Sequence, residues 1–149
     1  MGLGALVLAL VCILLIWRFS LEDGARSGKR SGQAMLLLGR LFSAITPDSA
    51  ELLLRKAAHF SEYALLGSIL AFALVCFDKP LTRHFPHVLL PCLLGAVLDE
   101  AIQLYVPGRG SSTVDVLIDF AGAVTGLLIV GLLTALLRRR KSHKGAHRL

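Results

Sequence analysis

Hydrophobic and polar residues occupy separate long blocks along this chain. The first apolar block covers residues 3–17 and ends in Trp17, Arg18 and Phe19. Three more apolar blocks cover residues 57–77, 88–106 and 113–137. A helix needs about 20 apolar residues to cross a bilayer, and aromatic and basic residues collect at the interface with water. The pattern therefore predicts four transmembrane helices, of which the first is short.

The segment between the first two blocks has a different character. Residues 20–32 are rich in glycine, serine and charge without a hydrophobic period, which predicts a solvated loop. Residues 33–45 carry apolar residues at helical spacing around Arg40. Because this stretch is too short to span a bilayer, we expect a helix that lies in the interface.

Helix boundaries are marked by capping residues and prolines. Thr46 and Pro47 suit the N-cap and first turn of a new helix that continues into the second span. Residues 78–80, Asp-Lys-Pro, should end that span. Pro107 and Gly108 predict a tight turn after the third span.

These elements together predict an all-α, membrane-embedded four-helix bundle with an additional interfacial helix between the first and second spans. We divide the chain into a first transmembrane helix (1–19), a polar loop with interfacial helices (20–55), a core with three transmembrane helices (56–137) and a basic cytoplasmic tail (138–149).

The side on which the termini lie follows from the distribution of lysine and arginine. Four spans place both termini on one side of the membrane, and basic residues favour the cytoplasmic side. The two sides of the membrane have equal numbers of lysine and arginine residues when all are counted. Arg55, Lys56 and Arg109 are left out of a second count because they are candidate members of a site. The remaining excess lies on the side of the tail, so we expect both termini in the cytoplasm.

Composition narrows the function classes. The chain is 55% hydrophobic and has a formal net charge of +6. Its basic residues lie in loops and in the tail, and not on one face of a folded domain, so we expect membrane lipids and no nucleic acid as partners. The three cysteines, Cys12, Cys76 and Cys92, form no CxxC pair and fall in or beside apolar blocks. They are typical of buried small hydrophobic residues.

Polar residues inside or next to the apolar blocks are the candidates for function. A charged residue at the centre of a membrane helix costs roughly 2.5–3.5 kcal/mol, so such residues usually face one another, water or a ligand. Helical spacing places them on shared faces of their helices. The candidates for a polar cleft are Lys56, His59, Glu62, Tyr63, Asp99, Glu100, Gln103, Arg109, Asp115 and Asp119. Gly122 and Gly126 follow as a small-residue stripe that lets a neighbouring helix approach closely.

Alternating spans bring all these residues to one face of the membrane, which the expected topology makes the outer face. Three interpretations remain open: a structural cluster in which Arg55, Lys56 and Arg109 neutralise the carboxylates, a cleft for a ligand, and a catalytic site. In the last, His59 or a carboxylate would act as general base, with or without a divalent metal beside it. The spacings HxxE and DExxQ lack a metal signature such as HExxH, so no metal or other cofactor is predicted, and no catalytic residue is assigned.

Three motifs carry a resemblance to a known family: residues 55–63 (Arg-Lys-Ala-Ala-His-Phe-Ser-Glu-Tyr), residues 99–109 (Asp-Glu-Ala-Ile-Gln-Leu-Tyr-Val-Pro-Gly-Arg) and residues 115–122 (Asp-Val-Leu-Ile-Asp-Phe-Ala-Gly). Over residues 52–133 the chain resembles the VanZ-like family of small bacterial integral membrane proteins. That family is named for a protein that gives low-level resistance to the glycopeptide antibiotic teicoplanin, and it has no settled biochemical activity. The resemblance implies a multi-pass protein of the bacterial cytoplasmic membrane that serves the cell envelope.

We therefore expect a protein that binds a cell-envelope component or a lipid head group at an outward-facing polar cleft. We expect Glu62, Asp99, Glu100 and Arg109 to form the core of this cleft. The resemblance implies a link to glycopeptide tolerance and an envelope precursor or glycopeptide-related ligand. One alternative is a membrane-embedded enzyme that acts on a lipid-linked or phosphate-bearing envelope substrate. The other is a polar cluster with a purely structural role.

Overall fold

The computed structural model describes residues 1–22 and 47–146, and every regular element in these ranges is an α-helix. The helices are α1 (Gly2–Ser20), α2 (Pro47–Cys76), α3 (Leu81–His84), α4 (Pro86–Gln103) and α5 (Thr113–Ala146). The prediction of an all-α fold is confirmed. The predicted interfacial helix at 33–45 lies outside the described residues.

Three helices of the described part are long and apolar enough to cross a membrane: Gly2–Ser20, Leu52–Cys76 and Thr113–Arg140. The prediction of four spans is thus supported for three of them. The predicted third span corresponds to α4, which has 18 residues and ends at Gln103. It is not among the three membrane-capable helices, and its last turns contain the polar residues Asp99, Glu100 and Gln103.

Most helix ends fall where prolines and polar residues predict them. Helix α2 begins at Pro47 and ends at Cys76, just before the Asp-Lys-Pro segment. Asp78 in that segment has a φ of 54°, a left-handed conformation that aspartate tolerates better than most residues. Helix α5 begins at Thr113, as predicted, but continues through Ala146 and so into the segment predicted as a basic tail. The single-turn helix α3 was not predicted.

Helices α2 and α5 approach so closely that their backbones touch at glycines. A Cβ atom on Gly67 would lie 2.5 Å from the carbonyl oxygen of Ala123. On α5, a Cβ on Gly122 would overlap the carbonyl oxygen of Phe60, and one on Gly126 would overlap that of Ala64. We call Gly67, Gly122 and Gly126 the glycine seam. The predicted role of Gly122 and Gly126 in close helix approach is confirmed.

Helices α1 and α4 complete the packing around this pair. The buried apolar core draws on four helices and contains Ala9, Ile16, Tyr63, Leu66, Cys92, Ala96 and Ala123. The indole Nε1 of Trp17 donates a hydrogen bond of 3.3 Å to the carbonyl oxygen of Gly95, which joins α1 to α4. Cys92 is fully buried with a free thiol, as predicted for a small hydrophobic residue, and Cys12 and Cys76 are partly buried and also free.

Candidate functional site

Three titratable side chains from three different helices meet inside the helical assembly. They are His59 of α2, Asp99 of α4 and Asp119 of α5. Nδ1 of His59 lies 3.6 Å from Oδ2 of Asp99 and 3.8 Å from Oδ1 of Asp119. One potential ligand atom from each residue lies within 4.8 Å of the others. We call these residues the His–Asp–Asp cluster.

The cluster is buried, and its hydrogen-bonding capacity is only partly used. Asp99 and Asp119 are 0% exposed, and the side chain of His59 is 13% exposed. Within the described part of the chain, Nδ1 of His59, Oδ1 of Asp99 and both carboxylate oxygens of Asp119 have no hydrogen-bond partner. A buried polar group without a partner costs about 1–3 kcal/mol, and more when it is charged. Such groups in a native protein usually serve a ligand, an ion or a reaction.

The second oxygen of Asp99 is held by a neighbour on the same helix. Nε2 of Gln103 donates a hydrogen bond of 3.3 Å to Oδ2 of Asp99 and lies 3.5 Å from Oγ of Ser20 at the end of α1. Gln103 therefore orients Asp99 and links the cluster to α1. Ser20 was not among the sequence candidates, because a serine at the end of an apolar helix carries no distinctive signal.

Glu100 and Arg109 hold the connection between α4 and α5. The backbone N–H of Ser112 donates a hydrogen bond of 2.7 Å to Oε2 of Glu100. An Nη atom of Arg109 donates a hydrogen bond of 3.3 Å to the carbonyl oxygen of Phe19. In both of these hydrogen bonds the partner is a backbone group, which sequence patterns do not reveal.

An ion pair between Lys56 and Asp115 lies above the cluster. Nζ of Lys56 contacts Oδ1 of Asp115, and the two side chains are 30% and 25% exposed. Lys56 precedes His59 by about one turn of α2, and Asp115 precedes Asp119 by about one turn of α5. We call Lys56 and Asp115 the rim pair, since they are the more exposed layer over the His–Asp–Asp cluster.

The two remaining candidates occupy different environments. Glu62 is partly buried on α2. Tyr63 is fully buried in the apolar core, and its hydroxyl lies 3.6 Å from the position that a Cβ on Gly95 would take. No hydrogen-bond partner for this hydroxyl occurs among the described residues. The structure thus brings His59, Asp99 and Asp119 into direct proximity, whereas Tyr63 belongs to the apolar core. Of the four residues expected at the core of the cleft, this cluster contains Asp99.

An apolar groove runs along the outside of the assembly next to the cluster. It has a volume of about 300 Å³ and lies between α1, α2 and α4. Its lining includes Leu10, Trp17, Leu94, Gly95 and Leu98. Gly95 is one turn before Asp99, and Leu98 immediately precedes it, so the groove and the cluster adjoin on α4.

The donor set of the cluster defines what it can do chemically. Carboxylates and an imidazole nitrogen can accept hydrogen bonds, transfer protons or coordinate a cation. The 3.6 Å and 3.8 Å separations are longer than direct hydrogen bonds between the side chains. Nδ1 of His59, Oδ2 of Asp99 and Oδ1 of Asp119 therefore lie around a shared space, and of these atoms only Oδ2 of Asp99 has a hydrogen-bond partner among the described residues, Gln103.

Comparison with known proteins places the chain in a family. The model of the VanZ/LLP1 family matches residues 5–134. The match begins in α1, extends beyond the predicted resemblance at 52–133, and includes every sequence candidate for the polar cleft. Searches of curated proteins and of solved structures find no match to this chain. With most of its length matched, the chain belongs to the VanZ/LLP1 family.

Proposed function

We propose that this protein binds the polar head group of an envelope lipid or lipid-linked precursor at the His–Asp–Asp cluster. One observation carries the proposal: buried, unpartnered atoms of His59, Asp99 and Asp119 lie directly under the partly exposed rim pair. Ionisable groups at membrane depth are expensive and usually mark a ligand or ion path. Membership of the VanZ/LLP1 family and three membrane-capable helices support a membrane location.

The chemistry of the cluster selects the kind of head group. Buried carboxylates accept hydrogen bonds, so a fitting ligand offers hydroxyl or ammonium donors, as sugars and amines do. Hydrogen bonds to charged groups contribute about 1.5–3 kcal/mol each. Lys56 at the rim and Arg109 in the loop between α4 and α5 supply positive charge for a phosphate that links the head group to its lipid.

The apolar groove supports a lipid as the ligand in preference to a free sugar. Leu98 lines the groove and Asp99 belongs to the cluster, so neighbouring residues of α4 serve both. A molecule with its head group at the cluster could lay a hydrocarbon chain along α1 and α4. Each methylene that moves from water to an apolar site contributes about 0.8 kcal/mol. A lipid already dissolved in the bilayer gains little of this, because its chain is not in water to begin with.

Native mass spectrometry of the gently extracted protein tests this proposal. We expect a lipid-sized adduct on the wild type that is at least tenfold less abundant on Asp119→Asn. The control is Asp78→Asn, which removes an exposed carboxylate in the turn after α2 and should leave the adduct unchanged. Equal adducts on all three proteins would contradict head-group binding at the cluster.

The orientation and the biological role are further parts of the proposal. We propose that both termini are cytoplasmic and that the cluster opens toward the outer face. A C-terminal alkaline phosphatase fusion should therefore be inactive, and an active fusion would reverse the orientation. If the role includes glycopeptide tolerance, expression in a teicoplanin-sensitive bacterium should raise tolerance, and Asp119→Asn should remove that increase.

A second candidate function is a membrane-embedded enzyme that acts on a lipid-linked or phosphate-bearing substrate. The proximity of His59 to Asp99 favours it, because a carboxylate beside an imidazole can orient a general base. Turnover of such a substrate that disappears in His59→Gln, with unchanged folded yield, would support catalysis. A wild-type protein that binds the lipid but shows no turnover of it would favour binding alone.

A further inference from the structure

We infer that the His–Asp–Asp cluster is a binding site for one divalent cation of the Zn²⁺ or Mn²⁺ class. His59, Asp99 and Asp119 each contribute one donor atom, and these atoms lie within 4.8 Å of one another. The inference does not depend on head-group binding, because it concerns only the three side chains.

The separations between the donor atoms fit an ion placed among them. Metal–nitrogen and metal–oxygen distances for Zn²⁺ are about 2.0–2.2 Å, so neighbouring ligand atoms lie roughly 3.0–3.6 Å apart around the ion. The observed separations from Nδ1 of His59 are 3.6 Å and 3.8 Å. Small side-chain rotations would bring these atoms to coordination distance, whereas no direct hydrogen bond between the imidazole and either carboxylate is formed.

Unpartnered buried atoms are the second observation that points to a ligand. Asp119 is 0% exposed, and within the described residues neither of its carboxylate oxygens has a hydrogen-bond partner. Oδ1 of Asp99 and Nδ1 of His59 are in the same condition. All these atoms are Lewis bases, so one cation would give every side chain of the cluster a partner at once.

Charge balance favours a dication over a proton. Two buried carboxylates carry two negative charges, and protonation of His59 would offset only one of them. A divalent ion bound by two aspartates and a neutral imidazole leaves a neutral centre, which a low-dielectric interior tolerates far better than net charge. Imidazole favours Zn²⁺, and carboxylates favour Mn²⁺, so the mixed set fits both ions.

The surroundings of the cluster fit a metal site with open coordination. Gln103 donates to Oδ2 of Asp99 and so fixes the orientation of one ligand, as outer-shell partners do in metal sites. The ammonium group of Lys56 is engaged by Asp115 in the rim pair. Three protein ligands leave coordination positions for water or another oxygen donor, as in catalytic zinc sites. If the proposed head-group binding is correct, a phosphate oxygen could occupy such a position.

Metal binding to the purified full-length protein tests the inference. The protein is prepared without a histidine tag, treated with EDTA and titrated with Zn²⁺ and, separately, with Mn²⁺ in an isothermal calorimeter. We expect one saturable ion per chain, verified by elemental analysis after desalting. Asp119→Asn and His59→Gln should each weaken binding by about 100-fold or more, since each removes a direct ligand.

The matched control addresses two neighbouring histidines outside the cluster. The rings of His84 and His87 lie 5.7 Å apart and could bind metal adventitiously. A variant with His84→Gln and His87→Gln should bind the ion with the affinity of the wild type. Size-exclusion chromatography compares the folded yield of all variants. His59→Gln, whose side chain lies nearest the rim, keeps the test usable if Asp119→Asn fails to fold.

Several outcomes would overturn the inference. Absence of saturable binding would do so, as would binding that survives both cluster variants or disappears in the His84 and His87 control. Failure of the ion site and failure of head-group binding are distinguishable, because native mass spectrometry of EDTA-treated protein reports the lipid adduct and the ion as separate masses. A lipid adduct without any metal at saturating Zn²⁺ or Mn²⁺ would leave the proposed function standing and reject the ion.

Discussion

The glycine seam and the His–Asp–Asp cluster both lie between α2 and α5, but the seam is tightly packed and the cluster is not. At the seam, Gly122 and Gly126 of α5 leave no room for a side chain against the backbone of α2. At the cluster, about one turn away, Asp119 and His59 stand 3.8 Å apart without a hydrogen bond. The seam is therefore the region where α2 and α5 are fixed, and the cluster is a region whose contacts remain incomplete.

This difference separates stability from function along one pair of helices. Membrane helices associate through close packing of small residues, since lipid provides little hydrophobic drive between them. Buried carboxylates without partners oppose folding. We infer that the seam holds the distance between His59 and Asp119. Under the proposed function, the cluster retains its costly groups for a ligand.

The largest expected effect comes from adding one methyl group to the seam. Gly126→Ala places a Cβ against the carbonyl oxygen of Ala64, and a backbone atom cannot move aside as a rotamer can. We expect a loss of about 3 kcal/mol, at the upper end of overpacking effects. Thermal unfolding followed by size-exclusion chromatography should show a clear drop in melting temperature.

Gly131→Ala is the matched control on the same helix. Its Cβ would lie 3.9 Å from Cδ1 of Leu81, an ordinary contact. Since alanine favours a helix over glycine by about 0.5–1 kcal/mol, this variant should be neutral or slightly more stable. Equal destabilisation by both substitutions would show that the seam is no more tightly packed than the rest of α5.

A smaller effect of opposite sign is expected at the cluster in metal-free protein. Asp119→Asn removes a buried charge whose oxygens have no hydrogen-bond partner among the described residues. We expect a gain of roughly 1–2 kcal/mol after EDTA treatment, because a neutral amide costs less to bury than a carboxylate. Thermal unfolding of both proteins in EDTA measures the difference.

The same experiment separates a ligand site from a structural cluster. If Asp119 were instead paired with a basic side chain of the protein, its replacement would lower stability, since breaking a buried ion pair is strongly destabilising. Asp115→Asn, which affects the more exposed rim pair, serves as the control and should change stability by less than about 1 kcal/mol. A large loss in Asp119→Asn alone would support the structural interpretation.

Much of the fold can be predicted from the sequence, because a membrane helix requires a long apolar block that is easy to recognise. Apolar blocks bounded by Pro47, by the Asp-Lys-Pro segment and by Thr113 predict where α2 ends and where α5 begins. The end of α4 at Gln103, before the predicted end of the third span at residue 106, is harder to predict from the sequence. It depends on tertiary contacts, such as the hydrogen bond from the backbone of Ser112 to Glu100, that no local pattern encodes.

The candidate residues of the site could be named from sequence, but their grouping could not. Polar residues stand out in apolar helices, so His59, Asp99 and Asp119 were selected among others. Their meeting depends on the rotation and depth of three helices, which the glycine seam and the contact between Gln103 and Ser20 set. A spacing motif such as HExxH detects only ligands that share one helix, and here each helix contributes one donor.

The contact between α1 and α4 offers a test of how far the cluster depends on its surroundings. Trp17→Phe keeps an aromatic ring but removes the pyrrole ring of the indole, and with it the hydrogen bond from Nε1 to the Gly95 carbonyl. Interhelical hydrogen bonds in membranes contribute about 0.6–1.7 kcal/mol, so we expect a loss in this range by thermal unfolding. Phe72→Leu, at an exposed position on α2, is the control and should have little effect. A loss well above this range would show that Trp17 holds α4, and with it Asp99, in place.

The smallest effect is expected at the rim pair, and it sharpens the contrast with the cluster below. Lys56 and Asp115 are 30% and 25% exposed, so water and salt weaken their attraction. A double-mutant cycle with Lys56→Met and Asp115→Asn should give a coupling of about 1 kcal/mol or less, falling further at high salt. A coupling of several kcal/mol that salt does not change would mean that the rim pair fixes α2 to α5 as the seam does. Weak, salt-sensitive coupling is instead what a rim requires if Lys56 is to exchange Asp115 for the phosphate of an arriving lipid.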